Sequence, residues 1–126
     1  MQVSELEIND EHDVISKESP LSLAAEKILK LARGVLVVID EENKPLGILS
    51  DSHLLSALAN EVDATEICGE HVDINILCVK LSDNIKDIMD MRNRKPSAII
   101  VIDEEGLFSG YVSPNDYREA LSVIHS

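Results

Sequence analysis

The sequence predicts an α/β (α+β) fold of two tandem β-α-β-β-α repeats that pack with pseudo-two-fold symmetry. The main observation is a duplication, because the stretch 35–50 (VLVVIDEENKPLGILS) returns 63 residues later as 98–113 (AIIVIDEEGLFSGYVS) without a gap. Identical residues fill seven of these sixteen positions, namely Val38, Ile39, Asp40, Glu41, Glu42, Gly47 and Ser50 of the first copy. A repeat at fixed offset indicates one supersecondary unit used twice. A second observation is that each stretch begins with an unbroken apolar run, typical of a strand covered on both faces.

The elements of the first copy follow from its patterning. The extended pair Val14-Ile15 precedes Ser19-Pro20, and a proline after a serine is a typical helix start. Apolar residues then recur at helical spacing until Arg33-Gly34, where the glycine ends the helix. The copy therefore reads strand, helix, strand, strand, helix, at residues 14–15, 20–33, 35–39, 46–49 and 50–58.

The second copy has the same order of elements, with Ser82 and Asp83 as the expected caps of its first helix. Its predicted elements cover residues 76–79, 82–91, 98–102, 107–112 and 116–123. Residues 1–13 are acidic and polar and are expected to form a loose arm. The predicted division is a first repeat at 12–62, a second repeat at 72–126, and a connector at 63–71 with a short helical piece around 65–68.

Composition restricts the function. The 126 residues suit one domain, and 24 acidic against 11 basic residues give a net charge of −13, which repels nucleic acid and anionic membranes. We interpret this negative charge as that of a soluble protein surface. The alternatives are an acidic face that binds a basic partner and an adaptation to high salt. An N-terminal signal and a membrane-spanning run are both missing, and the two cysteines form no CxxC motif, so we expect a cytoplasmic protein with reduced thiols.

Catalysis is not expected from this sequence. Its four histidines and two cysteines show no metal-ligand spacing, and no P-loop, GxSxG or HExxH motif occurs. The expectation is therefore a protein that is not an enzyme, holds no metal and requires no cofactor.

Each copy resembles the CBS domain, the cystathionine-β-synthase repeat. The shared pattern is strand, helix, then hhVVD-x-x-G/N-x-x-x-G-h-h-S/T-x-x-D and a closing helix, and it covers residues 14–58 and 76–122. The pair resembles a stand-alone Bateman module. The resemblance implies an adenosine-containing ligand (AMP, ADP, ATP or S-adenosylmethionine) in the cleft between the repeats. It also implies a homodimer and a regulated protein partner of unknown identity.

The second copy matches the ligand motif of that family at Ser113 and Asp116. Ser113 lies at a strand-to-helix junction, where free backbone N–H groups and the helix dipole favour a phosphate. Asp116, about one turn further on, can accept hydrogen bonds from both hydroxyls of a ribose. The alternative is a plain helix N-cap with an acidic residue near N3.

The first copy departs from the pattern at His53, which occupies the ribose position one turn after Ser50. A neutral imidazole has one donor and one acceptor, so it cannot accept from two hydroxyls as a carboxylate can. Both residues remain candidates by position, but this site is expected to be empty, weaker or adapted to another ligand. Taken alone, His53 is interpreted as an exposed helix residue.

Basic and apolar residues complete the candidate site. Arg92, Arg94 and Lys95 lie together where the resemblance implies phosphate contacts, although cations at a helix end also balance its macrodipole. Apolar strand residues are candidates to contact the base, or else belong to the core: Val14, Ile15, Leu77 and Val79. The resulting expectation is a regulatory module that binds its ligand mainly through the second repeat. The alternative is a ligand-free dimerising scaffold for protein interactions.

Overall fold

A computed structural model of the chain describes residues 2–3, 12–31 and 35–112, apart from the side chains of His12 and Met89. The elements within these ranges are β1 (His12–Ser16), α1 (Leu21–Leu29), β2 (Val35–Ile39), β3 (Pro45–Leu49), α2 (Asp51–Ala59), a 3₁₀ turn (Cys68–Glu70), β4 (Ile76–Lys80), α3 (Ile85–Arg92), β5 (Ala98–Ile102) and β6 (Phe108–Val112). The predicted helix 116–123 lies outside them. In the described part, no helix is long and apolar enough to cross a membrane.

The two three-stranded sheets have the same topology, with strand orders β1-β2-β3 and β4-β5-β6. In each sheet the first strand pairs parallel to the second and the third pairs antiparallel to it. Both hairpins even shift register at the same place, between Val38 and Ile39 and between Val101 and Ile102. The two central strands therefore occupy equivalent positions, and the predicted fold of two equivalent α/β repeats is confirmed.

The offset between the copies changes along the repeat. His12 pairs with Val35 and Ile76 pairs with Ala98, so the first strands are 64 residues apart while the central strands are 63 apart. The helices α1 and α3 begin 64 residues apart, at Leu21 and Ile85, so the difference lies between the start of the first helix and the central strand. Equivalent positions in the first strand and at the start of the first helix are therefore found with an offset of 64.

Each repeat packs its own core of aliphatic residues. The core of the first repeat contains Ile15, Leu21, Ala24, Leu36, Val38, Leu49 and Cys68. That of the second contains Val3, Val79, Ile85, Ile88, Ile99, Val101 and Val112. All residues from Val35 to Val38 and from Ala98 to Val101 are buried, which confirms that the central strands are covered on both faces.

The prediction of a loose arm over residues 1–13 is wrong for the residues described there. Val3 is fully buried in the second core, and its N–H donates to the Asp83 carbonyl at 2.8 Å. His12 and Asp13 belong to β1. The chain divides into two compact units, one spanning 11–74 and the other 75–126 together with 1–10. One valine in an acidic stretch produces no periodic pattern, so the sequence did not reveal this burial.

Two local predictions need correction. The cap of α3 is Asn84, whose Oδ1 accepts the Lys86 N–H at 3.0 Å, while Asp83 Oδ2 instead accepts the Lys80 N–H at 2.9 Å. The helical piece of the connector lies at Cys68–Glu70 and is docked on the first repeat, since the Cys68 N–H donates to the Ser19 carbonyl at 2.8 Å.

Candidate functional site

The junction between β3 and α2 is the first-repeat half of the predicted site. Ser50 is extended, with φ −126°, and serves as the N-cap of α2. Its carbonyl accepts the first helical hydrogen bond, from the Leu54 N–H at 3.2 Å. The predicted strand-to-helix junction at Ser50 is therefore present.

The side chain of His53 folds back onto this N-cap. His53 Nδ1 accepts the Ser50 N–H at 3.0 Å and lies 2.8 Å from Ser50 Oγ. Because Nδ1 accepts a backbone N–H, the proton of the neutral ring lies on Nε2. The side chain is only 30% exposed. The interpretation of His53 as an exposed helix residue is therefore wrong, since it closes half of a capping box.

Asp73 completes this arrangement from the segment that precedes β4, and we extend the name connector to residues 63–74. Its backbone pairs with Ile48 through two hydrogen bonds, of 3.0 and 2.9 Å, and its Oδ2 lies 3.4 Å from His53 Nε2. A Cβ on Gly47 would stand 2.3 Å from the Asp73 carbonyl oxygen, so this close approach requires glycine. The sequence contained Gly47 as a repeated residue but gave no signal for Asp73, which lies 20 positions from His53 in the chain.

The basic residues predicted for the second repeat lie together at the end of α3. The Arg94 and Lys95 N–H groups donate to the carbonyls of Met91 and Arg92, both at 3.0 Å, and Lys95 has a left-handed φ of 53°. Arg94 and Lys95 are exposed and make no ion pair with any described residue. We name Arg92–Lys95 the cationic turn; two of its charged groups are available to a ligand or to the helix dipole.

Of the apolar candidates, Ile15 and Val79 lie in the two cores, with 3% and 0% exposure. Val14 and Leu77 are half-buried. Val14 pairs with Val37, and at the equivalent register Cys78 pairs with Ile100. The second-repeat counterpart of Val14 is therefore Cys78, an exposed residue that a uniform offset of 63 did not reveal.

The two cysteines differ in environment. Cys68 is fully buried, and its Sγ donates to the Ser16 carbonyl at 3.2 Å. Burial raises the pKa of the Cys68 thiol, which keeps it protonated and unreactive. Cys68 is therefore a core residue of the first repeat.

A group with metal-ligand chemistry occurs in the connector. Ligand atoms of Glu66, Glu70 and His71 lie within 4.8 Å of one another, and His71 Nε2 is 3.0 Å from Glu66 Oε1. Acidic groups of this kind are common without a metal, and the hydrogen bond between His71 and Glu66 accounts for their contact.

An apolar groove lies between α1 and α2, with a volume of about 250 Å³. Its lining includes Leu21, Ala25, Leu54, Leu55, Leu58 and Val62. Leu55 and Leu58 are 65% and 73% exposed. The helix α2 thus presents apolar residues that the described part of the first repeat does not cover.

The remaining two site residues, Ser113 and Asp116, lie outside the described residues. β6 ends at Val112, so Ser113 follows β6 in the chain as Ser50 follows β3. Their assignment to the ligand therefore stays a prediction.

Comparison with known proteins identifies the fold. Residues 3–60 match the family model of the CBS domain. The first repeat therefore matches the CBS domain. The whole chain has the fold of a CBS domain pair. A solved structure with this fold, a CBS domain pair/ACT domain protein from Thermotoga maritima, aligns over 100% of both chains. The TM-score is 0.79 and the sequence identity is 19%.

Two further proteins are similar to this CBS pair. A CBS domain protein from Pyrobaculum aerophilum, complexed with AMP, has a TM-score of 0.78 and 19% identity over 99% of this chain and 98% of its own. An uncharacterized protein of Methanocaldococcus jannaschii is 20% identical over 116 residues, or 91% of this chain. The CBS pair spans 41% of the length of that relative.

Proposed function

We propose that this CBS pair is a regulatory module that binds an adenosine-containing ligand, mainly through its second repeat. The observation that carries the proposal is the cationic turn, because Arg94 and Lys95 stay exposed and unpaired with described residues in a chain of net charge −13. A nucleotide bound to so acidic a protein needs local neutralisation of its phosphate. The fold shared with an AMP complex supports the choice of adenosine ligands.

The proposed contacts divide among three groups of residues. Arg92, Arg94 and Lys95 meet the phosphates, Ser113 adds a hydroxyl, and Asp116 accepts from the ribose hydroxyls. The base lies beside the first strand of the second repeat, near Leu77. AMP, ADP, ATP and S-adenosylmethionine all offer the adenosine part of this recognition. Binding would regulate a partner without catalysis and without a further cofactor.

Thermal stabilisation tests the proposal. A ligand that binds only the folded state raises the melting temperature by mass action, and about 100 times its Kd adds about 2.7 kcal/mol to the free energy of unfolding. We expect at least one of AMP, ADP, ATP and S-adenosylmethionine to raise the melting temperature, while GMP serves as a control for the base. No shift with any adenosine ligand at millimolar concentration would contradict the proposal.

A charge variant links the binding to the cationic turn. Arg94→Gln with Lys95→Asn removes two charges, and asparagine suits the left-handed φ of 53° at position 95. The matched control is Lys30→Gln with Lys86→Gln, which removes two exposed charges elsewhere. We expect weaker AMP binding with the first variant only. Equal affinity in both variants would exclude the cationic turn as the phosphate site.

The apolar groove supports a second function, dimerisation with another copy of this chain. Leu55 and Leu58 both line this groove and are exposed, and a contiguous exposed apolar patch often marks an interaction site. Sedimentation equilibrium should show a dimer that Leu58→Lys weakens and Ser56→Lys, on the same helix, does not. A 13.9 kDa species alone at high micromolar concentration would contradict dimerisation. A dimer without any ligand-induced stabilisation would favour a ligand-free scaffold.

A further inference from the structure

The contacts of His53 lead to an inference about how many ligands the chain binds. We propose that His53 closes the ligand site of the first repeat from within, so that the chain takes up one adenosine ligand. This inference rests on the proposed function and deepens it. It makes His53 a specificity-determining residue of the module.

The polar groups of Ser50 at the start of α2 are bound by His53. The Ser50 N–H and the Ser50 hydroxyl are the groups that a ligand oxygen would approach at this junction. Both are already engaged by His53 Nδ1, at 3.0 and 2.8 Å. A ligand has to displace the imidazole before it can bind there, and displacement removes a hydrogen bond from a half-buried N–H.

The other ring nitrogen of His53, Nε2, faces Asp73. With Nδ1 accepting from Ser50, the proton of the neutral ring is on Nε2, which lies 3.4 Å from Asp73 Oδ2. Both side chains are mostly covered, at 30% and 24% exposure. His53 therefore binds Ser50 through Nδ1 and faces Asp73 with Nε2, so Nδ1 is not available to ribose hydroxyls.

The carboxylate of Asp73 places a negative charge near the N-terminus of α2. Its backbone is paired with Ile48 by two hydrogen bonds, and the space above Gly47 is filled by the same segment, so the carboxylate is held at this place. A carboxylate near the N-terminus of α2 stabilises the helix dipole and repels a phosphate. The first repeat thus satisfies its helix terminus with its own residues.

The second repeat differs at the decisive position. Asp116 occupies the place of His53 at the offset of 63, and a carboxylate has acceptor sites for two hydroxyls. Exchanging His53 for aspartate, together with Asp73→Asn to avoid two facing carboxylates, should free the Ser50 groups and give the first repeat the same ribose acceptor, but no counterpart of the cationic turn.

Titration calorimetry with adenosine tests this inference, because adenosine carries no phosphate and needs no cationic turn. We expect one adenosine per wild-type chain and two per chain for His53→Asp/Asp73→Asn. The matched control is Asp73→Asn alone, which keeps the imidazole on Ser50 and should still bind one. In a background of Asp116→Ala, adenosine binding should be weakened roughly ten- to hundredfold in the otherwise native chain but retained at one site in the double variant.

The outcomes separate the inference from the function on which it rests. Two adenosine per wild-type chain, or one per chain in the double variant with a native melting curve, would overturn the role of His53 and leave the proposed function standing. No binding of adenosine or AMP to any of these chains would overturn both. Nitrogen-15 NMR of the histidine ring gives a ligand-free check: a proton on Nε2 is expected, and a proton on Nδ1 would contradict the closed arrangement.

Discussion

Asp40 and Asp103 hold the two hairpin turns in the same way. Asp40 Oδ1 accepts the N–H groups of Glu42 and Lys44 at 2.8 and 3.0 Å. Asp103 Oδ1 accepts those of Glu105 and Leu107 at 2.9 and 3.0 Å. The repeated Asp-Glu-Glu of the sequence therefore reflects a turn that is built twice, and the aspartate is its structural residue.

The same turns predict a difference between two substitutions of Gly106. Gly106 has φ 84°, and its counterpart Asn43 has φ 63°. A Cβ on Gly106 meets no atom within 4 Å, so only backbone strain opposes a side chain. Gly106→Ala should lower the free energy of unfolding by about 1–2 kcal/mol. Gly106→Asn should lower it less, because asparagine tolerates a positive φ better than alanine does. Denaturant unfolding measures both variants, and a lower free energy of unfolding for Gly106→Asn than for Gly106→Ala would contradict this explanation.

A pH dependence follows from the turn of the first repeat. The N–H groups of Lys44 and Glu42 that donate to the carboxylate lower the pKa of Asp40. A pKa that is lower in the folded than in the unfolded state gives stability that is present above about pH 4 and is lost as the pH falls through the folded value. Asp40→Asn should therefore be less stable than the wild type at pH 7, and the difference should shrink on acidification.

Chemical denaturation at pH 7 and at pH 3 measures this difference. Asp90→Asn, on the exposed face of α3, is the control and should show little change at either pH. A deficit of Asp40→Asn that stays the same at both values would mean that the amide distorts the turn rather than removes a charge.

Individual residues also mark the limit of sequence-based inference. The ring of His53 could be placed on a helix from the pattern, but its contact with Ser50 depends on a rotamer and its contact with Asp73 depends on the path of the connector. The sequence pattern carries no information on this rotamer or on the path of the connector. A turn motif that is local, such as Asp40 with Lys44, is readable because its partners are adjacent in the chain.

At the scale of elements, strands and helices followed from apolar periodicity, while docking segments did not. The central strands β2 and β5 begin and end where the apolar runs predicted. The burial of Val3 and the docking of Cys68 on the first repeat were missed, because each contributes one apolar residue within a polar stretch. Such segments are fixed by tertiary contacts rather than by propensity.

Gly47→Ala tests the docking of the connector. A Cβ at this position would stand 2.3 Å from the Asp73 carbonyl oxygen and 2.5 Å from Val72 Cγ2, so the connector has to move away from β3. We expect a loss of about 3 kcal/mol in the free energy of unfolding, at the upper end of the usual cost of overpacking. Hydrogen exchange at the Ile48 and Asp73 amides should accelerate; unchanged exchange and stability would show that the connector is not packed there in solution.

At the scale of the whole molecule, two similar repeats carry different chemistry. The first repeat contains a histidine engaged with Ser50 and Asp73, and the second contains the cationic turn and, in its sequence, Ser113 and Asp116. The duplication predicted equivalent folds, and the sheets confirm it. The duplication could not predict that His53 is held by Ser50 and Asp73 of the same chain. The contact with Asp73 depends on the path of the segment before β4, which has no counterpart in the repeated stretch.

Calorimetric titration of AMP into Asp116→Ala and His53→Ala tests most directly whether this CBS pair binds its ligand through the second repeat. Asp116→Ala should remove the ribose contacts and cost about 1–3 kcal/mol, which is roughly a ten- to hundredfold rise in Kd. His53→Ala should change the Kd far less, because the alanine removes no ribose contact. Equal losses in the two variants, or a larger loss with His53→Ala, would contradict the account and assign the ligand to the first repeat.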